Sequence, residues 1–319
     1  GVSIMTTTSH VLSDMAALRS ELRQQGDPHC ELFRLAPWRA VLDIAFDWLI
    51  VLSSVALVVW WSELFAPLAV VLIANRQRAL GNLLHDAGHR NLWRDRRRND
   101  LVARLFIAPL LFASLARYRE THFKHHMELG KDGGDPDLLF FARRGPTTWF
   151  SNYLDQVFSL SAWLSSMGGH LFSRQLRAAS LLYIVGWWLG SVGLMCVLAG
   201  PDFTVIFLVL WLLARATAFH LITTFREMCD HFGLRPGGVF TFTRDMTCHG
   251  FWRWLIHPRN NGYHLTHHLL PAVPYYRLPE AHQLLRRQRV FQDRSKVCST
   301  YFTGTDPVAG AWQTQGQVP

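Results

Sequence analysis

Asn75-Arg-Gln-Arg-Ala-Leu-Gly-Asn-Leu-Leu-His85-Asp-Ala-Gly-His89 closes an apolar segment that begins at Leu64. Asn75, Arg78, Asn82, His85 and His89 recur at steps of three and four, which places them on one face of one helix. A second segment repeats the plan. It begins near Phe203, meets Arg215, and continues through Thr217, His220, Thr224, Glu227 and His231. Solvated helix faces seldom collect histidines at heptad steps, so the spacing predicts two long helices that leave an apolar medium with polar stripes on one side.

The apolar medium is a bilayer. Residues 44–61, the segment from Leu64, Ala178–Ala199 and the segment from Phe203 are each near the about 20 helical residues that a crossing takes. Ser62-Glu63 and Gly200-Pro201-Asp202 are short turns without Lys or Arg, so the four spans pair as two hairpins. The positive charges gather instead after the second span, at Arg90, Arg94, Arg96, Arg97, Arg98, Arg117, Arg119, Lys124, Lys131, Arg143 and Arg144. The positive-inside rule then puts both termini and all the histidine motifs in the cytoplasm. The run 101–115 is too short to span and reads as a helix at the cytoplasmic interface.

Composition agrees. Apolar residues make up 50% of the 319 and charged residues 17%, with 13 Trp and 21 Phe, more apolar surface than one soluble core uses. The net charge of +9 suits anionic lipid or acidic partners. Nothing resembles a nucleic-acid-binding motif, so nucleic acid is set aside. Five scattered cysteines without a C-x-x-C pair argue against a disulfide framework. The expected organisation is a single domain over 1–319, with a cytoplasmic N-terminal segment to about residue 35 and a flexible tail over about 300–319.

Three clusters carry the chemistry: His85-x3-His89, His122-x2-His125-His126 and His264-x2-His267-His268. On a helix, positions i, i+3 and i+4 share a face, so each can aim two or three imidazoles at one point. The first spacing alone is weak; two copies of the second in one chain are not. Imidazole suits Zn, Cu, Fe and Ni. Eight histidines exceed the four ligands of one structural zinc and fit two metals with positions left for O2. A metal transporter, the reading from another class, would place ligands deep within the spans.

The three boxes, split by a transmembrane hairpin, resemble the membrane fatty acid desaturase and hydroxylase superfamily over about residues 76–282. Arg76-Gln-Arg-Ala-Leu80, Asp135-Pro-Asp137, Asn260 with Tyr263-His264, and Pro271-Ala-Val-Pro-Tyr-Tyr-Arg-Leu-Pro-Glu-Ala-His282 add to the likeness. The resemblance implies an all-α integral membrane fold of four spans with a cytoplasmic helical cap holding two iron ions. It implies O2 as co-substrate and a fatty acyl or similar substrate linked to lipid, CoA or a carrier protein. It also implies a separate electron donor, such as a ferredoxin or cytochrome with its reductase. A ninth ligand is carried to His231 from the family's Arg-x3-Glu-His element, here Arg226-Glu-Met-Cys-Asp230-His231. Glu227 could bind metal directly or through water. Asp86, Asp135, Asp137, Asp230 and Asn260 are expected around the ligands, while Asn75, Arg78, Asn82, Thr217 and His220 are expected along a substrate cavity. His10, His29, His170, His249 and His257 read as surface or packing residues, and His282 as the head of a C-terminal helix. The expected location is a bacterial inner membrane with the active site facing the cytoplasm. Desaturation is favoured, with hydroxylation or ketolation as the alternative.

Overall fold

The computed structural model describes residues 7–24, 29–139 and 145–313; Arg143, Arg144 and the last six residues, included in the charge and tail readings, lie outside them. The chain is helical: α1 (Thr7–Gln24), α2 (Pro37–Trp60), α3 (Ala66–Gly88), α4 (Arg96–Phe106), α5 (Leu115–Met127), α6 (Trp149–Val157), α7 (Leu160–Gly168), α8 (Ala178–Ala199) and α9 (Pro201–Ala214). A π-helical turn, Arg215–Phe219, joins α9 to α10 (His220–His231). Then come α11 (Val239–Phe242), β1 (Asp245–Met246), α12 (Gly250–Ile256), α13 (His264–Leu269), α14 (Leu278–Leu285), α15 (Arg289–Arg294) and β2 (Val297–Cys298). Two compact units are built from interleaved segments, so no linker marks them in the sequence.

One unit comprises Leu35–Tyr118 and Val157–Thr224. Pro37–Trp60, Ala178–Ala199 and Pro201–His231 are long and apolar enough to cross a membrane. The segment expected as the second span, α3, falls short of the same standard because Arg76 and Arg78 interrupt it. In α8 only Ile184 is buried, and Val197 stays 83% exposed. A helix apolar all round yet uncovered by protein needs an apolar solvent. α3 packs against α2, α9 and the π turn. Asp95 caps α4 by accepting from the Arg98 N–H, and three side chains close its far end while a fourth bonds the turn beyond it. Tyr183 Oη, Trp187 Nε1 and Trp48 Nε1 donate to the carbonyls of Arg104, Leu105 and Phe106, and Trp188 Nε1 to that of Pro109. The run 101–115 is thus a short helix followed by a 3₁₀ turn, Pro109–Leu111.

The other unit comprises Gly1–Arg34, Arg119–Gln156 and Phe225–Pro319. Leu18 of α1 is buried, with Met15 and Leu22 packed beside it against Val239, Phe240 and Phe291. The tail reading needs correcting as far as Trp312. Tyr301, Val308, Ala309 and Trp312 are buried with Phe225, Met228 and Phe232, and Asn152 Nδ2 donates to the Trp312 carbonyl. A fully buried Trp removes a large apolar area from water, which outweighs the Gly, Thr and Gln around it.

Candidate metal centre

The centre is built within the second unit from α5, α10 and α13. Nitrogens of His125, His231, His264 and His268 all lie within 4.8 Å of one another, and all four residues are buried. Nε2 of His264 is 2.9 Å from Nε2 of His231 and 3.0 Å from Nε2 of His268. Beside them, Nε2 of His126 lies 3.0 Å from that of His122 and 3.1 Å from that of His267. These distances arise because i and i+4 on α5 and on α13 stack one turn apart, and α13 is only six residues long, wholly buried.

The opposite ring nitrogens are committed. His125 Nδ1 donates to Asp135 Oδ1 at 2.7 Å, and His231 Nδ1 donates to the Phe242 carbonyl at 2.8 Å. His264 Nδ1 lies 3.6 Å from Asp230 Oδ2, which Arg226 Nη1 also holds at 3.0 Å. A neutral imidazole has one N–H. With that proton fixed on Nδ1, the Nε2 atoms of His125 and His231 carry lone pairs, and such lone pairs converging at these distances repel unless a cation lies among them. The donor set therefore fits a metal ion, and Asp135, Asp230 and the Phe242 carbonyl set the tautomers and ring orientations that such a site uses.

Electrostatics follow the same logic. Burial pushes the His125 pKa down, but the Asp135 hydrogen bond and the charges of Asp137, Asp135 and Asp230 outweigh it and raise it. Burial likewise opposes ionisation of Asp135. The hydrogen bond and charge of His125, with the N–H groups of Gly130 and Asp137, hold its carboxyl below its ordinary value nonetheless. His268 is pushed well down by burial and then by the charges of His126, His264, His125 and His231.

Other expected residues divide. His85 and His89, in the first unit at the end of α3, have ring centroids 5.0 Å apart, and His85 Nδ1 is 3.4 Å from Asp86 Oδ1. Asp137 Oδ2 is 3.8 Å from His125 Nδ1 with its side chain 58% exposed, a weaker neighbour than Asp135. Glu227 is not brought to the four-histidine group; its side chain is 44% exposed beside Arg226. Asn260 takes no part in the centre either: it accepts from Arg253 and donates to the Tyr275 carbonyl, tying together the turns around the third box. His220 is corrected from cavity lining to a structural tie. Its Nε2 donates to the Val157 carbonyl at 2.8 Å and its Nδ1 accepts from Ser166 Oγ at 2.8 Å, so neither nitrogen is left for a substrate. Thr217 bonds back to the Leu213 carbonyl and is exposed. His170 and His257 are packing residues as expected: His170 Nδ1 accepts from the Ser114 N–H, and His257 Nδ1 bonds the Tyr301 hydroxyl. His282 lies within α14 rather than at its head, with Nδ1 donating to Asp245 Oδ2 at 2.7 Å.

Asp245 itself went unread in the sequence. Fully buried, it also accepts from the Thr266 N–H and hydroxyl, fixing the helix that bears His264, His267 and His268. Arg244, next to it, donates to the Phe232 and Met228 carbonyls and so closes the end of α10 just beyond His231. No spacing signals either residue.

The family model for fatty acid desaturases matches residues 58–298. The chain belongs to that family. It is an oxidoreductase and an integral membrane protein, in keeping with its three membrane-length helices. The chain is also 29% identical over 243 residues to the dihydrorhizobitoxine desaturase of Bradyrhizobium elkanii, covering 70% of this chain and 68% of the relative.

Proposed function

We propose that this family member is an O2-dependent di-iron desaturase acting on a C–H bond of a short or functionalised acyl-like chain. The observation that supports it most is the buried four-histidine group with its carboxylate and carbonyl partners on the opposite ring nitrogens. In this reading His125, His231, His264 and His268 hold one iron. His122, His126 and His267 hold the other, and the family resemblance gives His85 and His89 of the first box a metal-binding role as well. Iron is preferred to zinc because the family's reaction uses O2, and imidazole ligands suit it. When bound, the iron pair supplies the O2-driven removal of hydrogen from an unactivated C–H bond.

The chain's own residues hold and exclude. Asp135 and Phe242 keep the Nδ1 protons of His125 and His231 in place, so that each ring offers a lone pair at Nε2. Four spans in two hairpins, with the histidines on the cytoplasmic side of a bacterial inner membrane, follow from the charge pattern. Electrons come from a separate donor protein. The relative's name, which states that it desaturates dihydrorhizobitoxine, supports a substrate other than a fatty acid. It also favours desaturation over hydroxylation.

Expression with a ferredoxin and reductase, followed by mass spectrometry of lipids, acyl thioesters and small acids, tests the reaction. Loss of two hydrogens is expected; a product heavier by one oxygen refutes it. About two irons per chain are expected, and full activity with zinc alone would remove the di-iron assignment. Labels at Ser62 and Asp202 should react from outside only, and one at Arg97 from the cytoplasm only.

A further inference from the structure

The membrane-helix unit leaves an apolar cleft open on its flank. α2 and α8 both pack against α9, and between them runs a cleft of about 710 Å³. Val41, Trp48 and Trp60 of α2 lie along one wall and Trp187, Leu194 and Leu198 of α8 along the other. Val102, Leu105 and Phe106 of α4 reach it from the side. Ser191 alone among its lining residues carries a hydroxyl. The indole N–H groups of Trp48 and Trp187 are spent on the Phe106 and Leu105 carbonyls. Trp60 and Leu198 are 74% and 76% exposed, so the described chain leaves them open. Walls of this kind offer water no partners, and a cleft so lined stays dry. In a bilayer it takes hydrocarbon.

Shape decides which hydrocarbon. From Val41 to Trp60 the wall follows α2 for an axial rise of about 28 Å, nearly the whole thickness of the hydrocarbon layer. Spread over that length, the volume leaves a track about 6 Å across, against the roughly 10 Å of a helix. Helices that pair in membranes also meet on small residues, whereas Trp, Leu, Phe and Met line this track. A single polymethylene chain fits it. Charge then gives that chain a direction. At the Trp60 end the adjoining turns carry Glu63 and Asp202 and no Lys or Arg. At the other end stands the start of α4, where Arg94, Arg96, Arg97 and Arg98 are exposed and have no ion pair among the described residues. Arg98 precedes Val102 by one turn and Leu105 by two, on the face of α4 that these two residues turn to the cleft. Four basic side chains at a membrane surface attract anionic lipid.

We propose that the cleft binds an acyl chain of an anionic phospholipid of the bilayer, with the lipid phosphate held at the start of α4 by Arg98 and its neighbours. A chain seated there buries the exposed faces of Trp60, Leu194 and Leu198. It also braces the end of α4, which Trp48, Tyr183 and Trp187 hold by its carbonyls. The inference uses none of the metal-binding residues and does not rest on the proposed reaction. It rests only on α2 and α8 lying in a membrane.

The test uses the full chain in phosphatidylcholine nanodiscs doped with phosphatidylglycerol spin-labelled near its chain end, or with phosphatidylcholine labelled alike. Electron paramagnetic resonance reads the motionally restricted fraction of each. The protein should restrict phosphatidylglycerol more strongly. Arg98→Gln, at an exposed position, should cut that preference about fivefold, the worth of one basic residue near a membrane surface. Ser191→Trp, which fills the track, should remove the extra restricted fraction, whereas Val197→Trp, outside the cleft, should leave it. Equal restriction of the two lipids, or a preference unchanged in either Arg98→Gln or Ser191→Trp, overturns the proposal. So does a dimer that Ser191→Trp breaks while the restricted fraction stays the same, which would give the cleft to a second copy. Displacement of the labelled lipid by free hexadecanoate as readily as by phosphatidylglycerol overturns it too, and would give the cleft to a fatty acid. Iron content should be unchanged in all three variants, which keeps this test apart from the di-iron reading.

Discussion

Buried polar groups are handled in opposite ways at the histidine centre and among the membrane helices. Around the centre, Asp135, Asp230 and the Phe242 carbonyl answer His125, His264 and His231, and Asp245 answers His282. Among the membrane helices one arginine, Arg76, is answered by Asp47, while Arg215 meets backbone carbonyls, aromatic faces and the like charge of Arg78. The first arrangement is preorganised around a cation that binds from outside; in the second, one buried arginine has a carboxylate and the other has carbonyls and aromatic rings.

The comparison breaks first at the histidines. His264 stands 2.9 to 3.0 Å from two other ring nitrogens. His264→Ala should abolish turnover and lower bound metal, read by elemental analysis and product formation, whereas His10→Ala should leave both unchanged. A fully active His264→Ala protein would remove the centre from the chemistry.

Next in size is the answered arginine. Asp47→Ala leaves Arg76 buried without its partner, for a loss of about 3–5 kcal/mol in unfolding free energy. Chemical denaturation in a fixed detergent measures it. A loss no larger than that of an exposed substitution would mean that the two arginines are not treated differently after all.

A smaller effect belongs to Asp135→Asn, which keeps the shape but removes the charge that raises His125. Metal affinity should fall by about 10–100-fold, the usual cost of losing such a partner, with the fold retained by circular dichroism.

Acidity separates the rings most finely. His125 has a raised folded pKa, so in metal-free protein its bound proton adds stability below its ordinary pKa of 6.5, and that stability fades as pH rises through the folded value. His268, pushed down, does the reverse: its contribution is present above 6.5 and is lost as pH falls towards its folded value. Metal must displace the His125 proton, so affinity should weaken by up to about tenfold per pH unit as pH falls below the His125 folded pKa, one pKa unit being about 1.4 kcal/mol. A pH-independent affinity between pH 6 and 8 would show that His125 does not bind.

Much of this was legible in the chain itself. The boxes announce themselves because an imidazole cluster needs only i, i+3, i+4 spacing on one helix, a local property that any sequence displays. Apolar length likewise shows the membrane helices, since a bilayer imposes its thickness on consecutive residues. What stayed hidden depends on residues far apart in the chain. That His220 is spent on Ser166 and Val157, that Glu227 turns away beside Arg226, and that Trp312 pins the C-terminal stretch against Phe225 and Phe232 are outcomes of packing. Asp245 could have been any solvated aspartate until Thr266 and His282 closed on it. The π turn at Arg215–Phe219 also escaped the reading, because one extra residue in a helix shifts the phase of its polar stripe without altering composition. Periodicity on a single helix determined which side chains could act together; the partner of each buried charge was decided only when distant helices met, since a hydrogen bond about 3 Å long is set by tertiary position and not by spacing.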